Sequence, residues 1–189
     1  MVRIDRIYTR SGDEGQTSLG NGQRVSKLSA RIVAGGSVDE TNCTIGVAAA
    51  ATGADEIRNL LYSLQQFLFD LGADLCVPLP AEGEDDLLKK RVTAEHVLHL
   101  ERTIDSMTER LQPLRSFILP GGNPAAAALH LARAVCRRAE LDVLRLAESE
   151  PLNQNVLVAL NRLSDLLFVL ARVSNNDGRN DVLWDPNRA

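Results

Sequence analysis

The sequence lacks the features that mark several common protein classes. Only 4% of its 189 residues are aromatic, and its formal net charge of −4 is not the basic excess of a general nucleic-acid or membrane-surface binder. No segment reaches the run of about 18 apolar residues that a transmembrane helix needs. The N-terminal sequence MVRIDRIYTR contains no apolar run of the signal-peptide type. The sequence therefore predicts a soluble, cytoplasmic protein that binds neither nucleic acid nor membrane.

Cysteine is also scarce. Cys43, Cys76 and Cys136 form no CxxC pair, and their odd number argues against a disulfide framework. All three lie in apolar stretches, so we expect buried, reduced thiols. His96 and His99 have no further convergent ligands near them in sequence and are interpreted as solvated surface, so the ligands of any metal stay unassigned.

What the sequence does contain is helical periodicity. Hydrophobic residues make up 44% of the chain and recur at spacings of three and four in the long segments. We therefore expect an all-α, five-helix bundle in a single domain over 1–189, with an irregular N-terminal arm at 1–29, the bundle at 30–175 and a loose tail at 176–189. Apart from the first helix, the predicted helices are 55–75, from 93 to before Pro113, 123–146 and 151–174.

Two starts are open for the first helix. The sequence SVDE at 37–40 fits a capping box, which predicts a helix from Ser37 to about Thr52. The alternative is a helix that begins near Ala30 and tolerates two glycines. In either case Asp39 lies on a face of small and polar residues, which permits close approach of another helix.

The helix from Asn123 to Leu146 carries an unusual set of charges. Beside its apolar stripe lie His130, Arg133, Arg137, Arg138 and Glu140. Arginines one turn apart repel each other by about 0.3 kcal/mol, so an anionic group should face them. One interpretation is a set of salt bridges to Asp39, Asp70 or Asp165. The other is a polyphosphate clamp, because guanidinium groups match phosphate oxygens in bidentate geometry.

The N-terminal arm is rich in groups that bind anions. These are Thr9, Arg10, Ser11, Gly12, Thr17, Ser18 and Lys27. Glycines let backbone N–H groups converge on an anion, and hydroxyls and cations complete such a cradle. The arm is not a Walker A loop, since Asn21 and Gly22 follow Gly20 where Lys and Ser/Thr are required. A polar arm without function is the alternative.

Several stretches in order resemble the PduO-type family of ATP:cob(I)alamin adenosyltransferases. They are YTRSGDEGQTSLGNGQRVSK, GSVDETNCTIG, FILPGG followed by HLARAVCRRAE, and NRLSDLLFVLAR. The resemblance implies a five-helix bundle that forms a homotrimer with active sites at subunit interfaces. It also implies transfer of the 5′-deoxyadenosyl group of ATP to the cobalt of cob(I)alamin or a related corrinoid, which releases triphosphate. A non-catalytic bundle that binds ATP or corrinoid as a sensor or delivery chaperone is the alternative.

The resemblance also assigns residues. The ATP-binding positions it implies are Thr9, Arg10, Ser11, Gly12, Thr17, Ser18 and Lys27 in the arm, with Arg137, Arg138, Glu140 and Asn161 in the helices. Asp39 and Arg133 match a pair that bridges subunits, and Phe117 matches an aromatic residue on the corrin side. Leu141 stands where the family often has arginine, so a contact made through that position is not expected here.

The chemistry implied by the resemblance needs no protein nucleophile. Lys27 and Arg137, with Mg²⁺ carried by ATP, are expected to stabilise charge on the departing triphosphate. Phe117 is expected to keep the lower axial base and water away from cobalt. A corrinoid reductase and an adenosylcobalamin-dependent enzyme are the further partners that this activity implies.

Overall fold

The protein is described here by a computed structural model that covers residues 7–8 and 10–188. Within these residues the chain forms a small antiparallel hairpin and five helices. The hairpin pairs β1, Gln16–Ser18, with β2, Arg24–Ser26. The helices are α1, Ala30–Ala51; α2, Asp55–Cys76; α3, Ala94–Thr108; α4, Pro124–Ser149; and α5, Gln154–Ser174. The predicted all-α bundle is confirmed, although the arm contains a hairpin and is not irregular throughout.

Helix α4 lies at the centre of the bundle. Asn123 caps it by accepting a hydrogen bond from the Ala126 N–H at 2.9 Å, and Pro124 takes the first helical position. The predicted apolar stripe is fully buried at Leu129, Ala132, Cys136, Ala139, Val143 and Leu146. Because most of these side chains are small, α4 packs closely against α1 on one side and α5 on the other.

Helix α1 begins at Ala30, so the start at the capping box is wrong and the alternative start is confirmed. Ser37 is buried inside the helix and donates a 2.5 Å hydrogen bond to Asp142 Oδ2 of α4. Its hydroxyl therefore joins two helices, and it does not cap one. Arg31, near the start of α1, pairs with Glu150 at the end of α4 at 2.8 Å, which shows that the two helices run antiparallel.

The ends of α3 and α5 differ from the prediction by a few residues. Thr93 caps α3. Its side chain accepts a hydrogen bond from the His96 N–H, and the His96 side chain accepts one in turn from the Thr93 N–H. Helix α3 stops at Thr108, short of Pro113. Helix α5 starts three residues late because Asn153, and not Pro151, serves as its N-cap, accepting from the Asn155 N–H at 3.1 Å.

A buried carboxylate fastens the loop before α3 to the bundle. Asp74 accepts from Arg91 Nη1 at 2.9 Å, and its second oxygen accepts from the Val92 N–H and Asn153 Nδ2, each at 2.7 Å. The Asp74 side chain is only 2% exposed. Removal of one partner from such a buried network leaves the others unpaired, which typically costs several kcal/mol.

We therefore expect Asp74→Ala to lower the free energy of unfolding by about 3 kcal/mol. Urea denaturation at fixed protein concentration measures this change. Asp85→Ala, on the exposed part of the same loop, is the matched control and should leave the midpoint unchanged. If the two variants are equally stable, the Asp74 network makes no net contribution to the free energy of unfolding.

The cysteines fit the expectation only in part. All three are free, Cys136 is buried, Cys76 is partly buried and Cys43 is exposed. Burial raises the pKa of the Cys136 thiol to about 12, so that thiol stays protonated and inert. The expectation of burial is wrong for Cys43, because the apolar stretch that carries it is a helix with one face in solvent.

The C-terminal tail is also more ordered than expected. Residues 181–184 run beside the segment that precedes α4, with an antiparallel bridge between Ile118 and Leu183. Asn176, Asp177 and Gly178 all adopt positive φ directly after α5, which ends the helix. None of the helices in the described part of the chain has the length and apolar character needed to cross a membrane.

Candidate active site

The N-terminal arm forms a compact turn around Lys27. The Lys27 N–H donates to the Gly15 carbonyl at 2.9 Å, and the Gly15 N–H donates to the Gly12 carbonyl at 3.2 Å. A Cβ at Gly12 would lie 3.0 Å from Lys27 Nζ, so a larger residue there would shift this flexible amine by a few tenths of an ångström. Lys27 is exposed in this turn, which leaves its charge available to an anion.

The other predicted arm residues surround this turn. Arg10 adopts a positive φ of 62° and lies over the Tyr8 ring. Arg24 donates to the Ser11 carbonyl at 2.8 Å and to Ser18 Oγ at 3.3 Å, which ties the start of the arm to the hairpin. Thr17 is half-buried in β1. The prediction for Thr9 falls outside the described residues.

On α4 the predicted arginines differ in their environments. Arg137 is exposed and has neither a hydrogen bond nor an ion pair within the described residues. Arg138 pairs with Glu40 of α1. The interpretation of inter-helix salt bridges therefore holds for Arg138, although its partner in the described chain is Glu40 and not Asp39, Asp70 or Asp165. Arg137 is left as a cation that faces solvent.

Glu140 and Asn161, which are both predicted to bind ATP, contact each other. Asn161 Nδ2 donates to Glu140 Oε1 at 3.0 Å, and Asn161 Oδ1 accepts from Arg162 Nη1 at 2.9 Å. Arg162 in turn donates to Glu101 of α3 at 2.7 Å. This chain of contacts across α4, α5 and α3 fixes the amide, so Glu140 and Asn161 present oriented polar groups one turn from Arg137.

Arg133 and His130 carry unsatisfied polar atoms. Arg133 Nε and His130 Nδ1 are both buried and have no hydrogen-bond partner in the described residues. Burial lowers the pKa of His130, and the neighbouring Arg133 charge lowers it further, with Asp181 acting in the opposite direction. The imidazole is therefore neutral near pH 7, and its ring contacts Phe168 edge-on at 6.0 Å. Buried polar atoms of this kind normally find a partner.

Asp39 does not meet Arg133 within the chain. Asp39 is exposed and lies at a groove of about 320 Å³ between α1 and α2, whereas Arg133 lies beside His130 on α4. In the same groove Asn42 Oδ1 is buried with no hydrogen-bond partner in the part of the chain that the structure describes, and Phe69 is 68% exposed. The groove and the Arg133 region therefore each leave groups unpaired in one chain.

Phe117 lies in the loop before α4 and is 79% exposed. The ring is therefore not buried in a hydrophobic contact at the start of α4. Its aromatic neighbour is Trp184 of the tail, with ring centroids 6.2 Å apart and planes at 61°. Because single exposed hydrophobic side chains are common on protein surfaces, the corrin-side role of Phe117 depends on the resemblance and stays a proposal.

One chain does not bring Lys27 and Arg137 together. The arm lies at the end of the bundle where Gly20 N–H bonds to the Cys76 carbonyl and where Arg31 meets Glu150. Along α4, Arg137 is about 20 Å from Glu150, at 1.5 Å per residue. The two cations assigned to the same ligand are therefore separated within the chain.

Known proteins resemble this chain over most of its length. A family model described as cobalamin adenosyltransferase matches residues 7–174. The chain belongs to the cobalamin adenosyltransferase family. The corrinoid adenosyltransferase of Mycobacterium leprae is 45% identical over 189 residues, which covers 98% of each chain.

Solved structures of the family superpose closely on this chain. A phenylalanine-to-alanine variant of the PduO-type ATP:corrinoid adenosyltransferase from Lactobacillus reuteri, complexed with cobalamin and ATP, has a TM-score of 0.85 and 37% identity over 95% of this chain and 99% of its own. An arginine-to-lysine variant from the same organism, complexed with ATP, has a TM-score of 0.83 and 37% identity over 95% of this chain and 100% of its own. The predicted resemblance, helical fold and adenosyltransferase class are confirmed.

Sequence reasoning overlooked three residues that lie against the predicted site residues Arg138, Arg133 and Phe117. Glu40 was part of a supposed capping box, and its place beside Arg138 depends on the antiparallel packing of α1 on α4. His130 was noted only as a member of a charged stripe. Trp184 lies in a tail predicted to be loose, and its only sequence signal is that it is the single tryptophan.

Proposed function

We propose that this chain transfers the 5′-deoxyadenosyl group of ATP to the cobalt of cob(I)alamin or a related corrinoid. In this reaction Co(I) supplies the electron pair for a new bond to C5′, the C5′–O bond breaks, and triphosphate leaves with the bonding pair. Family membership and the named relatives support this activity. The single observation that carries the residue assignment is the Arg137 cation, which is exposed and has no partner among the described residues, one turn from the oriented Glu140–Asn161 pair.

The charged groups of the site suit a leaving triphosphate. As the C5′–O bond breaks, negative charge accumulates on the triphosphate oxygens, and fixed cations lower the barrier by stabilising it. Lys27 in its glycine turn and Arg137 on α4 are assigned to those oxygens, with Arg138 and the backbone N–H groups of the arm beside them. Asn161 and Glu140 are assigned to polar groups of the nucleotide.

Mg²⁺ is expected to bind together with the nucleotide. This ion keeps several waters and binds enzymes through phosphates with one or two carboxylates, rather than in a cage of protein ligands. The described residues contain no group of three His, Cys, Asp or Glu side chains that could hold a metal alone. We therefore expect Mg²⁺ to enter the site bound to ATP, where its charge would act on the triphosphate together with those of Lys27 and Arg137.

A site shared between chains explains the unpaired groups. We infer a homotrimer in which Asp39 of one chain pairs with Arg133 of the next. The exposed Asp39 carboxylate and the partly exposed Arg133 guanidinium, neither of which has an ion-pair partner among the described residues, support this pairing. The cytoplasm is the proposed compartment, in agreement with three free cysteines.

The activity is tested by mixing protein, Mg-ATP and chemically reduced cob(I)alamin without oxygen. The account predicts a light-sensitive alkylcobalamin spectrum and one triphosphate released per cobalt alkylated. ATP binding with no change in the cobalamin spectrum would instead assign the chain to nucleotide or corrinoid binding without catalysis. Cob(I)alamin with ADP is the control for non-enzymatic alkylation.

The subunit pairing gives a further prediction. Asp39→Arg places like charges opposite each other, so light scattering at micromolar protein should show loss of the trimer mass and activity should fall with it. The double variant Asp39→Arg/Arg133→Asp restores opposite charges and should recover part of both. Asp70→Arg, an exposed carboxylate on α2, is the control. A wild-type protein of monomer mass would refute the trimer directly.

A further inference from the structure

The tail forms a second strand beside the loop that carries Phe117. After the turn at 176–178, the chain runs antiparallel to residues 116–119. The Trp184 N–H donates to the Phe117 carbonyl at 2.7 Å, and the Leu119 N–H donates to the Val182 carbonyl at 2.8 Å. Ser116 Oγ donates to the Trp184 carbonyl at 2.8 Å. These bonds fix the backbone on both sides of Phe117 although its side chain is exposed.

A buried ion pair anchors this strand to the bundle. Asp181 Oδ2 accepts from Arg172 Nε at 2.9 Å, and Asp181 Oδ1 accepts from Asn175 Nδ2 at 3.0 Å. The Arg172 and Asp181 side chains are only 9% and 4% exposed. Arg172 also donates to the Gln112 carbonyl at 2.9 Å. We call Arg172, Asn175 and Asp181 the tail anchor.

The turn before Asp181 is shaped to hold the anchor. Gly178 has a φ of 76°, and a Cβ there would lie 3.0 Å from Arg172 Nη2 and 3.1 Å from Asp181 Oδ2. A larger residue would be strained and would push the ion pair apart. The Gly178 N–H donates to the Arg172 carbonyl at 2.8 Å. The tail therefore leaves α5 in one defined direction, toward Phe117.

We propose that Trp184, held by the tail anchor, is a positioning residue that fixes the Phe117 ring against the corrin. This inference rests on the proposed role of Phe117. The loop of Phe117 runs into Pro120, Gly121 and Gly122, so an unsupported ring there would sample several orientations. The edge-on contact with Trp184 restricts it. A ring that excludes an axial ligand from cobalt must stay in place, because small displacements of a positioning group reduce rates strongly.

The first test follows Trp184 itself. It is the only tryptophan in the chain, so its fluorescence reports on the tail alone. Asp181→Asn removes the charge opposite Arg172, and we expect the fluorescence anisotropy of Trp184 to fall and its emission to move to longer wavelength. Circular dichroism checks that the helices persist. Unchanged anisotropy would show that the anchor does not hold Trp184.

The second test uses activity from two cobalt states. Starting from Co(II) with a reductant, Trp184→Leu should slow adenosyl transfer about tenfold. Starting from chemically prepared Co(I), most of the rate should return, and ATP affinity should not change. Trp184→Phe keeps an aromatic edge and should restore most of the Co(II) rate. Arg188→Ala, exposed further along the tail, is the control for general disturbance of the tail.

A double variant separates positioning from direct contact. If Trp184 acts only through Phe117, then Phe117→Ala/Trp184→Leu is no slower than Phe117→Ala alone. Two results would overturn the positioning proposal and leave the proposed role of Phe117 intact. One is a double variant whose rate loss equals the two single losses combined, and the other is a Trp184→Leu defect that is equal from Co(II) and from Co(I). If Phe117→Ala itself shows no dependence on the cobalt state, the proposed role of Phe117 fails and this inference fails with it.

Discussion

Arg137→Ala is expected to lower the rate of adenosyl transfer by on the order of a hundredfold or more. The Arg137 side chain is exposed and unpartnered in the described chain, so the fold does not depend on it. Its proposed partner is the charge that grows on triphosphate as the C5′–O bond breaks. The loss should therefore appear in turnover more than in the KM for ATP.

The control for this variant lies on the same helix. Arg145 is 71% exposed and pairs only with Asp142, so Arg145→Ala tests removal of a surface arginine from α4 without touching the site. It should retain turnover. Lys27→Ala should resemble Arg137→Ala, with loss of turnover and an intact fold. Full turnover in both site variants, or loss of the helical circular dichroism signal, would show that Lys27 and Arg137 do not bind the triphosphate.

The second large effect is expected for Phe117→Ala. Because the ring is 79% exposed, its removal should shift the melting temperature by no more than about two degrees. Activity measured from Co(II) should fall strongly, since the lower axial ligand or water can return to cobalt and make it harder to reduce. Pre-reduced Co(I) should restore much of the rate, and ATP should bind normally.

Tyr62→Ala is the matched control for loss of an exposed aromatic ring. Tyr62 is 52% exposed on α2 and lies outside the proposed site, so both activities should stay at the wild-type level. If Phe117→Ala melts several degrees lower and is impaired equally from both cobalt states, then Phe117 is structural. The corrin would in that case lie elsewhere on the protein.

Local signals were enough to predict most of the helices. Asn123 and Pro124 marked the start of α4, and its apolar stripe is buried in the structure. The start of α1 was ambiguous because Ser37 has the side chain of a good N-cap. Only the approach of Asp142 from α4 decides that this hydroxyl is buried inside a helix. That contact spans 105 positions in sequence, so no local pattern reveals it.

The site was predictable in its parts but not in its assembly. The arm, Arg137 and Phe117 were each found from motifs, and their roles remain proposals. The pairing of Arg138 with Glu40 and the contact of Phe117 with Trp184 depend on packing between distant segments. The tail looked loose because its sequence has no periodicity, whereas it is held by the buried Asp181 carboxylate and by backbone hydrogen bonds to residues 116–119. The division into arm, bundle and tail stays a prediction.

The most direct test of a site shared between chains is complementation. Lys27→Ala and Arg137→Ala are each expected to be nearly inactive alone, and the two are co-expressed with different affinity tags so that mixed trimers can be isolated. If Lys27 of one chain serves Arg137 of its neighbour, each isolated mixed trimer has one intact site of three and should show about a third of the wild-type activity. If both residues of a site come from the same chain, mixed trimers contain no intact site, and activity that stays at the level of the single variants would contradict the account.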